Sequence, residues 1–369
     1  MTTISFDHPV LATAAALLQA EIAPQAELID RDPIALQTAL GYLAEAGLLG
    51  LQVPQLYGGL ELQQSTYRQF QELVARYSGA LAFLQAQHQS AAALLGRSPN
   101  RELQQAYLSG MARGEILVGI SFAHLRRQPS PVTAITRAGG YVFQGQAPWV
   151  TGWGSFRDFM AAAVLPDGQV VYGLVPFQTQ EQQTGGALLC SQPLELAAMT
   201  ATATVTVEFR QWFVPEAQVV QVSPLTAMAL RDRRNVLNHS FFALGCARAG
   251  LDILAMAAQQ KPLDAMIAAH TALQQELQTC RQLILAASPD NPLQNLKLRA
   301  WAIDLAVRCA HGAVIASSGA ANQSHHPAQR VYREALMFSV AGQTTPVLEA
   351  SLERLVRQSV NGDRIADVN

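Results

Sequence analysis

The spacing of apolar residues changes twice along the chain, and no other sequence feature constrains the fold as strongly. Over residues 8–115 apolar residues recur every three or four positions, which is typical of amphipathic helices. Between residues 116 and 222 they alternate or form β-branched runs bounded by Gly-Gly, Asp-Gly and Pro turns, as in a sheet. Helical spacing then returns. We expect an α+β multidomain protein with an N-terminal helical bundle (1–115), a central β-barrel or sandwich domain (116–222) and a C-terminal helical bundle (223–369).

The composition excludes several classes of partner. The 369 residues contain 25 Lys and Arg against 27 Asp and Glu, which gives a net charge of −2, and no long run of like charges occurs. Nucleic acid and anionic membrane surfaces are therefore not expected as partners. No apolar run approaches the roughly 20 residues that cross a bilayer. Because only 14% of residues are charged, much of the surface is uncharged and suited to subunit contacts, and we expect a homo-oligomer.

The N-terminus and the cysteines indicate a cytoplasmic protein. The first residues, MTTISFDHPVLATAAALLQA, lack the basic start and the uncharged core of a signal peptide. Cys190, Cys246, Cys280 and Cys309 are far apart and form no Cys-x-x-Cys pair. We therefore expect buried free thiols rather than a disulfide or a metal site.

Several polar residues in the helical segments also allow predictions. Asp304 and Arg308 are four residues apart and predict a favourable pair on one helix face. His239, His270 and His311 each occur alone in a helical pattern, which favours packed or exposed roles over catalysis. The His325-His326 pair has no third ligand at metal spacing, so no metal site is expected.

Three segments of the chain carry recognisable short motifs. Residues 46–64 read AGLLGLQVPQLYGGLELQQ, residues 139–163 read GGYVFQGQAPWVTGWGSFRDFMAAA, and residues 325–356 read HHPAQRVYREALMFSVAGQTTPVLEASLERLV. The first segment is similar to a loop that contains Val-Pro and Tyr-Gly-Gly. The second is similar to a strand that contains Trp-Ile-Thr. The third is similar to a signature in which Arg-x-x-Arg-Asp-Ala is followed by Tyr-Glu-Gly-Thr. These are motifs of the acyl-CoA dehydrogenase family of flavoenzymes, which the chain resembles over most of its length.

The resemblance implies a fold, a cofactor and a reaction. The family has the helix–sheet–helix order predicted above and binds FAD between the β domain and the helical bundles. Its members remove an α-proton and a β-hydride from an acyl thioester, assemble as homotetramers or homodimers, and pass electrons to a partner. For this chain the resemblance implies FAD, with FMN as an alternative, a small-molecule acyl thioester as substrate, and a possible electron-transfer partner.

The resemblance also implies which residues contact the cofactor. Trp149 and Thr151 fall on two flavin contacts of the family. Strand alternation would put both on one face, where an indole covers the isoalloxazine edge and a hydroxyl donates to N5. Residues 115–134 align without gaps with the family's phosphate-side loop, although the match is poor. The implied cofactor contacts are Ser121, Ala123, His124, Ser130, Trp149, Thr151 and Thr344.

Two features of the family are missing from this sequence. The family's catalytic Glu accepts the α-proton, and the alignment places Gly342 at its position. A minority of members carry this Glu at another position, and there the alignment places Asn235. Asp232 lies one helical turn before Asn235, in an Arg-rich stretch. We favour the interpretation that Asp232 is a paired acidic residue on the surface. The Arg and Phe that clamp the FAD pyrophosphate of a neighbouring subunit are also absent. Near the C-terminus, Thr345 and Pro346 are expected as N-cap and first residue of a helix.

Three functions therefore remain open at the level of sequence. The first is a flavin-dependent oxidoreductase that oxidises an acyl thioester at the α,β bond. The second is a flavin-dependent monooxygenase of the same fold, which needs no α-proton acceptor and would explain Gly342. The third is a non-catalytic paralogue that binds an acyl chain or a partner protein. The first is favoured, with the catalytic residue unassigned.

Overall fold

The computed structural model describes residues 8–183 and 185–361 and has the predicted architecture, with helical N- and C-terminal parts and a central sheet. Its contacts divide the chain into two compact units. Unit 1 comprises the described residues of Met1–Val74 and Ala80–Leu230, and unit 2 those of Ala75–Gly79 and Arg231–Asn369. The N-terminal helices and the sheet thus share one unit, and the division into three domains stays a prediction.

The N-terminal part of unit 1 is helical, and its main breaks occur at proline and glycine. Asp32 caps the third helix by accepting a hydrogen bond from the Ile34 amide at 2.8 Å, and Gly47 follows this helix with a φ of +69°, a conformation that favours glycine. The α-helices of this part are α1 (Pro9–Leu17), α2 (Ala26–Arg31), α3 (Pro33–Glu45), α4 (Gln64–Tyr77), α5 (Gly79–Leu95) and α6 (Arg101–Ala112).

One sheet of nine strands forms the rest of unit 1. Its strands are β1 (Val118–Ser121), β2 (Val132–Arg137), β3 (Gly140–Val150), β4 (Asp158–Val164), β5 (Gln169–Pro176), β6 (Gln180–Glu181), β7 (Ala187–Cys190), β8 (Val205–Pro215) and β9 (Val219–Pro224). They are ordered β6-β7-β8-β3-β2-β4-β5-β9, and β1 pairs in parallel with β4. Phe143, Phe159 and Phe209 are fully buried, and the ring of Phe209 contacts the rings of the other two.

Unit 2 contains the C-terminal helices. The boundary lies inside α7, so that this helix up to Leu230 belongs to unit 1. Their bounds are α7 (Thr226–Arg234), α8 (Ser240–Gln260), α9 (Asp264–Leu285), α10 (Pro292–Ser317), α11 (Pro327–Val340) and α12 (Thr345–Asn361). Helix α8 has the length and hydropathy of a membrane-spanning helix, but 61% of its most apolar window is buried inside the protein. Because core helices of soluble proteins share this property, α8 is weak evidence for a membrane span.

The free cysteines and the predicted ion pair are present in the structure. Cys246, Cys280 and Cys309 are buried free thiols as predicted, whereas Cys190, on β7, is half-buried. Burial raises the pKa of both Cys280 and Cys309 to about 12, so these thiols are inert. Asp304 accepts a hydrogen bond from Arg308 at 3.0 Å and another from Arg354 at 3.1 Å.

A second ion pair of unit 2 is more deeply buried. The Arg330 guanidinium donates to both carboxylate oxygens of Glu334, at 2.8 and 2.9 Å, and the Glu334 side chain is fully buried. The same carboxylate accepts a hydrogen bond from the Gly79 amide at 2.9 Å. This interaction joins residues 255 positions apart in sequence. Because buried charges are stable only when they are paired, Arg330 stabilises the Glu334 carboxylate, which ties the Gly79 amide to α11 within unit 2.

Replacing Glu334 by Ala should destabilise unit 2 strongly, because it leaves the buried Arg330 guanidinium without its carboxylate. We expect a loss of about 3–5 kcal/mol in the free energy of unfolding, measured by urea denaturation. Glu115→Ala is the matched control, since Glu115 pairs with Arg113 at 2.7 Å on the surface, where both side chains are exposed. The control should leave the denaturation midpoint unchanged. Equal effects of the two substitutions would contradict the assignment.

Candidate functional site

The sheet domain brings most of the predicted cofactor contacts to one end of the sheet. Strand β1 pairs with β4, with Ser121 opposite Ala161. It also lies beside the end of β3, since a Cβ atom built on Gly119 would be 3.4 Å from the carbonyl oxygen of Thr151. A 3-10 helix, Ala123–Arg126, follows β1 and contacts both β3 and β4. The 3-10 helix that carries Ala123 and His124 therefore contacts the strand that carries Trp149, and β1, which carries Ser121, lies beside Thr151.

Trp149 and Thr151 differ in exposure, which strand alternation did not predict. A register shift between Ala147 and Val150 interrupts the pairing of β3 with β8, and β3 ends at Val150. Trp149 is consequently 50% exposed while Thr151, just beyond the strand, is buried. The expectation of one shared strand face is wrong, because the bulge adds a residue to β3 and breaks its period of two. The Thr151 hydroxyl is hydrogen-bonded to that of Thr204 at 3.0 Å.

His124 and Ser130 form hydrogen bonds within the protein. His124 is buried, and its Nε2 donates to the carbonyl oxygen of Ala162 at 2.8 Å. Burial lowers the pKa of His124, and the nearby Arg127 lowers it further, which favours a neutral ring. Ser130 donates to the carbonyl oxygen of Val132 at 3.1 Å. Ser121 is buried and Ala123 is exposed. Their roles as cofactor contacts stay predictions.

Thr344 belongs to unit 2, and its position corrects the predicted start of the last helix. The carbonyl oxygen of Thr344 accepts a hydrogen bond from the Leu348 amide at 2.9 Å, which closes the first turn of α12. Thr344 is thus the N-cap residue, and Thr345 is the first helical residue. The predicted pair of Thr345 as N-cap and Pro346 as first residue is wrong by one position. Thr344 is half-buried.

A buried side chain links the segment that carries Asn235 with the segment that carries Gly342. Gly342 lies between α11 and α12, and Asn235 lies between α7 and α8. The buried side chain of Arg299, on α10, donates to the carbonyl oxygen of Val236 at 2.9 Å and to that of Ala341 at 2.6 Å. One guanidinium therefore holds the residues next to Asn235 and Gly342 together.

His239, for which the sequence favours a packed or exposed role, lies against Gly342. A Cβ atom built on Gly342 would be 2.6, 2.7 and 2.8 Å from Cε1, Nε2 and Nδ1 of His239. The His239 ring therefore occupies the space that any side chain at position 342 would enter. This half-buried histidine precedes α8 and lies four residues after Asn235.

Known proteins share both sequence and fold with this chain. Residues 8–115 match the family model for the acyl-CoA dehydrogenase N-terminal domain. A probable acyl-CoA dehydrogenase of Bacillus subtilis is 23% identical over 90% of this chain and 93% of its own length. The mitochondrial isovaleryl-CoA dehydrogenase of Solanum tuberosum is 27% identical, and the match spans 56% of this chain and about half, 52%, of that enzyme.

A solved structure has the same fold at low sequence identity. The acyl-CoA dehydrogenase of Bacillus anthracis, in complex with FAD, superposes with a TM-score of 0.78 at 16% identity. The superposition covers 96% of this chain and 67% of that one. The sequence matches make the chain similar to acyl-CoA dehydrogenases, and the superposition shows that it has their fold.

Gly342 should tolerate no side chain while His239 is present. Gly342→Ala places a Cβ in contact with the His239 ring and forces a non-glycine residue into a φ of +59°. We expect a loss of about 1–3 kcal/mol in the free energy of unfolding, measured by urea denaturation. In the double variant with His239→Ala the steric part of this loss should disappear, leaving the cost of the positive φ.

The control for this prediction is Gly41→Ala. Gly41 lies inside α3 with no other atom near the position of a Cβ, so this substitution should stabilise the protein by about 0.5–1 kcal/mol. Strictly additive effects of Gly342→Ala and His239→Ala would show that the ring does not occupy the space beside Gly342.

Proposed function

We propose that the protein is a FAD-dependent oxidoreductase that oxidises an acyl-CoA thioester at the α,β bond. The observation that carries the proposal is the exposed indole of Trp149 beside Thr151, β1 and the 3-10 helix at one end of the sheet. The proposal is supported by the match to the family model and by the FAD complex of the Bacillus anthracis relative. Flavin-dependent acyl-CoA oxidation is the general activity that the family supports.

The residues at this end of the sheet fit a flavin. An indole that is half exposed at the end of a strand offers an apolar face on which a planar ring can stack. The Thr151 hydroxyl, paired with Thr204, has further capacity for a hydrogen bond. Arg126 and Arg127 are exposed in the loop after β1, where guanidinium groups are suited to phosphate oxygens. When bound, FAD would supply the acceptor for the hydride that leaves the substrate's β-carbon.

Trp149→Ala should weaken FAD binding, because it removes the ring on which the flavin stacks. We expect a loss in affinity of about two- to thirteenfold, as one aromatic contact contributes about 0.5–1.5 kcal/mol. The measurement is a titration of the protein with FAD, followed by flavin absorbance after desalting. Ile34→Ala is the control, since Ile34 is an exposed apolar residue of unit 1 outside the sheet domain. Unchanged affinity of the Trp149 variant would argue against this site.

The reaction is tested by the product formed from isovaleryl-CoA, chosen because one relative is named for it. The purified protein, loaded with FAD and given an artificial electron acceptor, should convert the thioester to a product with two hydrogens fewer, identified by mass spectrometry. Incorporation of an oxygen atom would favour a monooxygenase of the same fold. A thioester that binds but stays unchanged would favour a non-catalytic paralogue, and either result contradicts the proposal.

We also propose that the protein is a cytoplasmic homo-oligomer, a tetramer or a dimer, that passes electrons to a partner protein. Tyr332, Leu336 and Val340 recur every four residues on α11 and are 41–56% exposed. A second copy that covers this apolar stripe would remove it from water. Light scattering should give the mass of a dimer or tetramer, and a strictly monomeric protein would exclude the assembly. Cell fractionation tests the location.

A further inference from the structure

We propose that Thr204 is a positioning residue that makes the Thr151 hydroxyl a hydrogen-bond donor to the cofactor. The inference rests on the proposed function, because it assigns a role at the same end of the sheet. It arises from the hydrogen bond between these two buried hydroxyl groups and from the way in which the backbone beside them is fixed. Every residue that carries the argument belongs to unit 1.

The two threonines lie opposite each other at the point where the pairing of β3 with β8 ends. Val150 and Val205 form the pair at this end of the ladder. Thr151 follows Val150 and Thr204 precedes Val205, so the two threonines are the next residues outward on each side. Both are buried, and their side-chain oxygens are 3.0 Å apart. A cross-strand pair of hydroxyl groups of this kind stabilises the pairing of two strands.

The number of protons decides which hydroxyl can serve a ligand. A threonine hydroxyl has one proton to donate and two positions that accept. Within the part of the chain that the structure describes, each of these two side-chain oxygens bonds to the other. If Thr151 donates to Thr204, it has no proton left for a ligand. If Thr204 donates to Thr151, the proton of Thr151 is available.

An acceptor beside Thr151 selects the second arrangement. The resemblance to the family implies that the hydroxyl at position 151 donates to N5 of the flavin. Two hydrogen bonds then form in a row, from Thr204 to Thr151 and from Thr151 to the cofactor, whereas the opposite arrangement allows only one. A hydroxyl that accepts a hydrogen bond is also a stronger donor, because each bond in such a row polarises the next. Thr204 therefore acts on the cofactor through Thr151.

The backbone beside the pair is held by the segment 199–203. The Gly152 amide donates to the carbonyl oxygen of Thr202 at 2.8 Å, and the Trp153 amide donates to that of Ala203 at 3.2 Å. These bonds continue the contact between the two chain segments beyond the last regular pair of β3 with β8. The backbone next to both hydroxyl groups is therefore fixed, which keeps the two oxygens at hydrogen-bond distance.

A buried carboxylate on α2 holds this segment in turn. Met199 and Ala203, at its two ends, have φ values of +56° and +44°, a conformation that non-glycine residues keep only where their surroundings enforce it. The buried Asp30 side chain accepts a hydrogen bond from the Met199 amide at 2.9 Å. The Thr200 hydroxyl donates to the Asp30 carbonyl oxygen at 3.3 Å. Backbone strain of this kind is concentrated at functional sites, which agrees with a role of the adjacent hydroxyl pair in cofactor binding.

The first experiment compares the absorption spectrum of bound FAD in variants that remove one hydroxyl. Thr204→Val should displace the visible absorption bands in the same direction as Thr151→Val. It should also weaken FAD binding about two- to thirteenfold, the effect of one neutral hydrogen bond. A merely structural role would lower the stability of the protein without moving the bands of the FAD that remains bound.

The matched control for this experiment is Thr179→Val. The exposed Thr179 hydroxyl accepts a hydrogen bond from the Cys190 amide at 2.9 Å. Thr179 lies before β6, at the far edge of the same sheet. Its substitution removes a hydrogen-bonded hydroxyl from the sheet domain and should leave both the bands and the affinity for FAD unchanged.

Further variants separate positioning from direct contact. Thr204→Ser keeps the hydroxyl and should restore the wild-type bands, whereas Thr204→Ala should displace them as Thr204→Val does. The double variant of Thr151→Val and Thr204→Val should lose no more affinity than Thr151→Val alone, because Thr204 acts through Thr151. Strictly additive losses would overturn the proposal. So would wild-type bands in Thr204→Val and Thr204→Ala, or equal displacement in Thr204→Ser.

Failure of this inference is distinguishable from failure of the proposed function. A wild-type protein that binds FAD and oxidises isovaleryl-CoA, and whose FAD bands do not respond to loss of the Thr204 hydroxyl, contradicts only the role of Thr204. A wild-type protein that takes up no FAD contradicts the proposed function and this inference with it.

Discussion

The buried guanidinium of Arg299 is the interaction on which the account of unit 2 depends. It lies on α10 and donates to the carbonyl oxygens of Val236 and Ala341, which lie near the starts of the two segments between helices, 235–239 and 341–344. Backbone carbonyls outside helices need such partners when they are buried, and hydrogen bonds from a charged donor are about twice as strong as neutral ones. The segments that carry Asn235 and Gly342 are therefore held at fixed positions although neither is a helix.

The same constraint sets the packing around Gly342. Gly342 adopts a positive φ and leaves space that the His239 ring fills. A glycine at this position is then a requirement of the local packing.

The sequence predicted the large-scale organisation because periodicity reports which faces of a segment are buried. The helix–sheet–helix order, the buried thiols of Cys246, Cys280 and Cys309, and the pair of Asp304 and Arg308 all follow from local spacing. Features set by long-range packing could not be predicted in this way. The bulge before Val150 depends on pairing with β8, and the contact of His239 with Gly342 joins residues more than a hundred positions apart. From spacing alone His239 was predicted only to be packed or exposed.

The proposed oxidation of an acyl thioester by a bound flavin is tested most directly by a single turnover without oxygen. FAD-loaded protein is mixed anaerobically with isovaleryl-CoA, with no electron acceptor present, while the flavin absorbance is recorded. We expect the thioester alone to bleach the flavin, because the hydride has no other destination. Flavin that remains fully oxidised with isovaleryl-CoA and with thioesters of other chain lengths would rule out this activity.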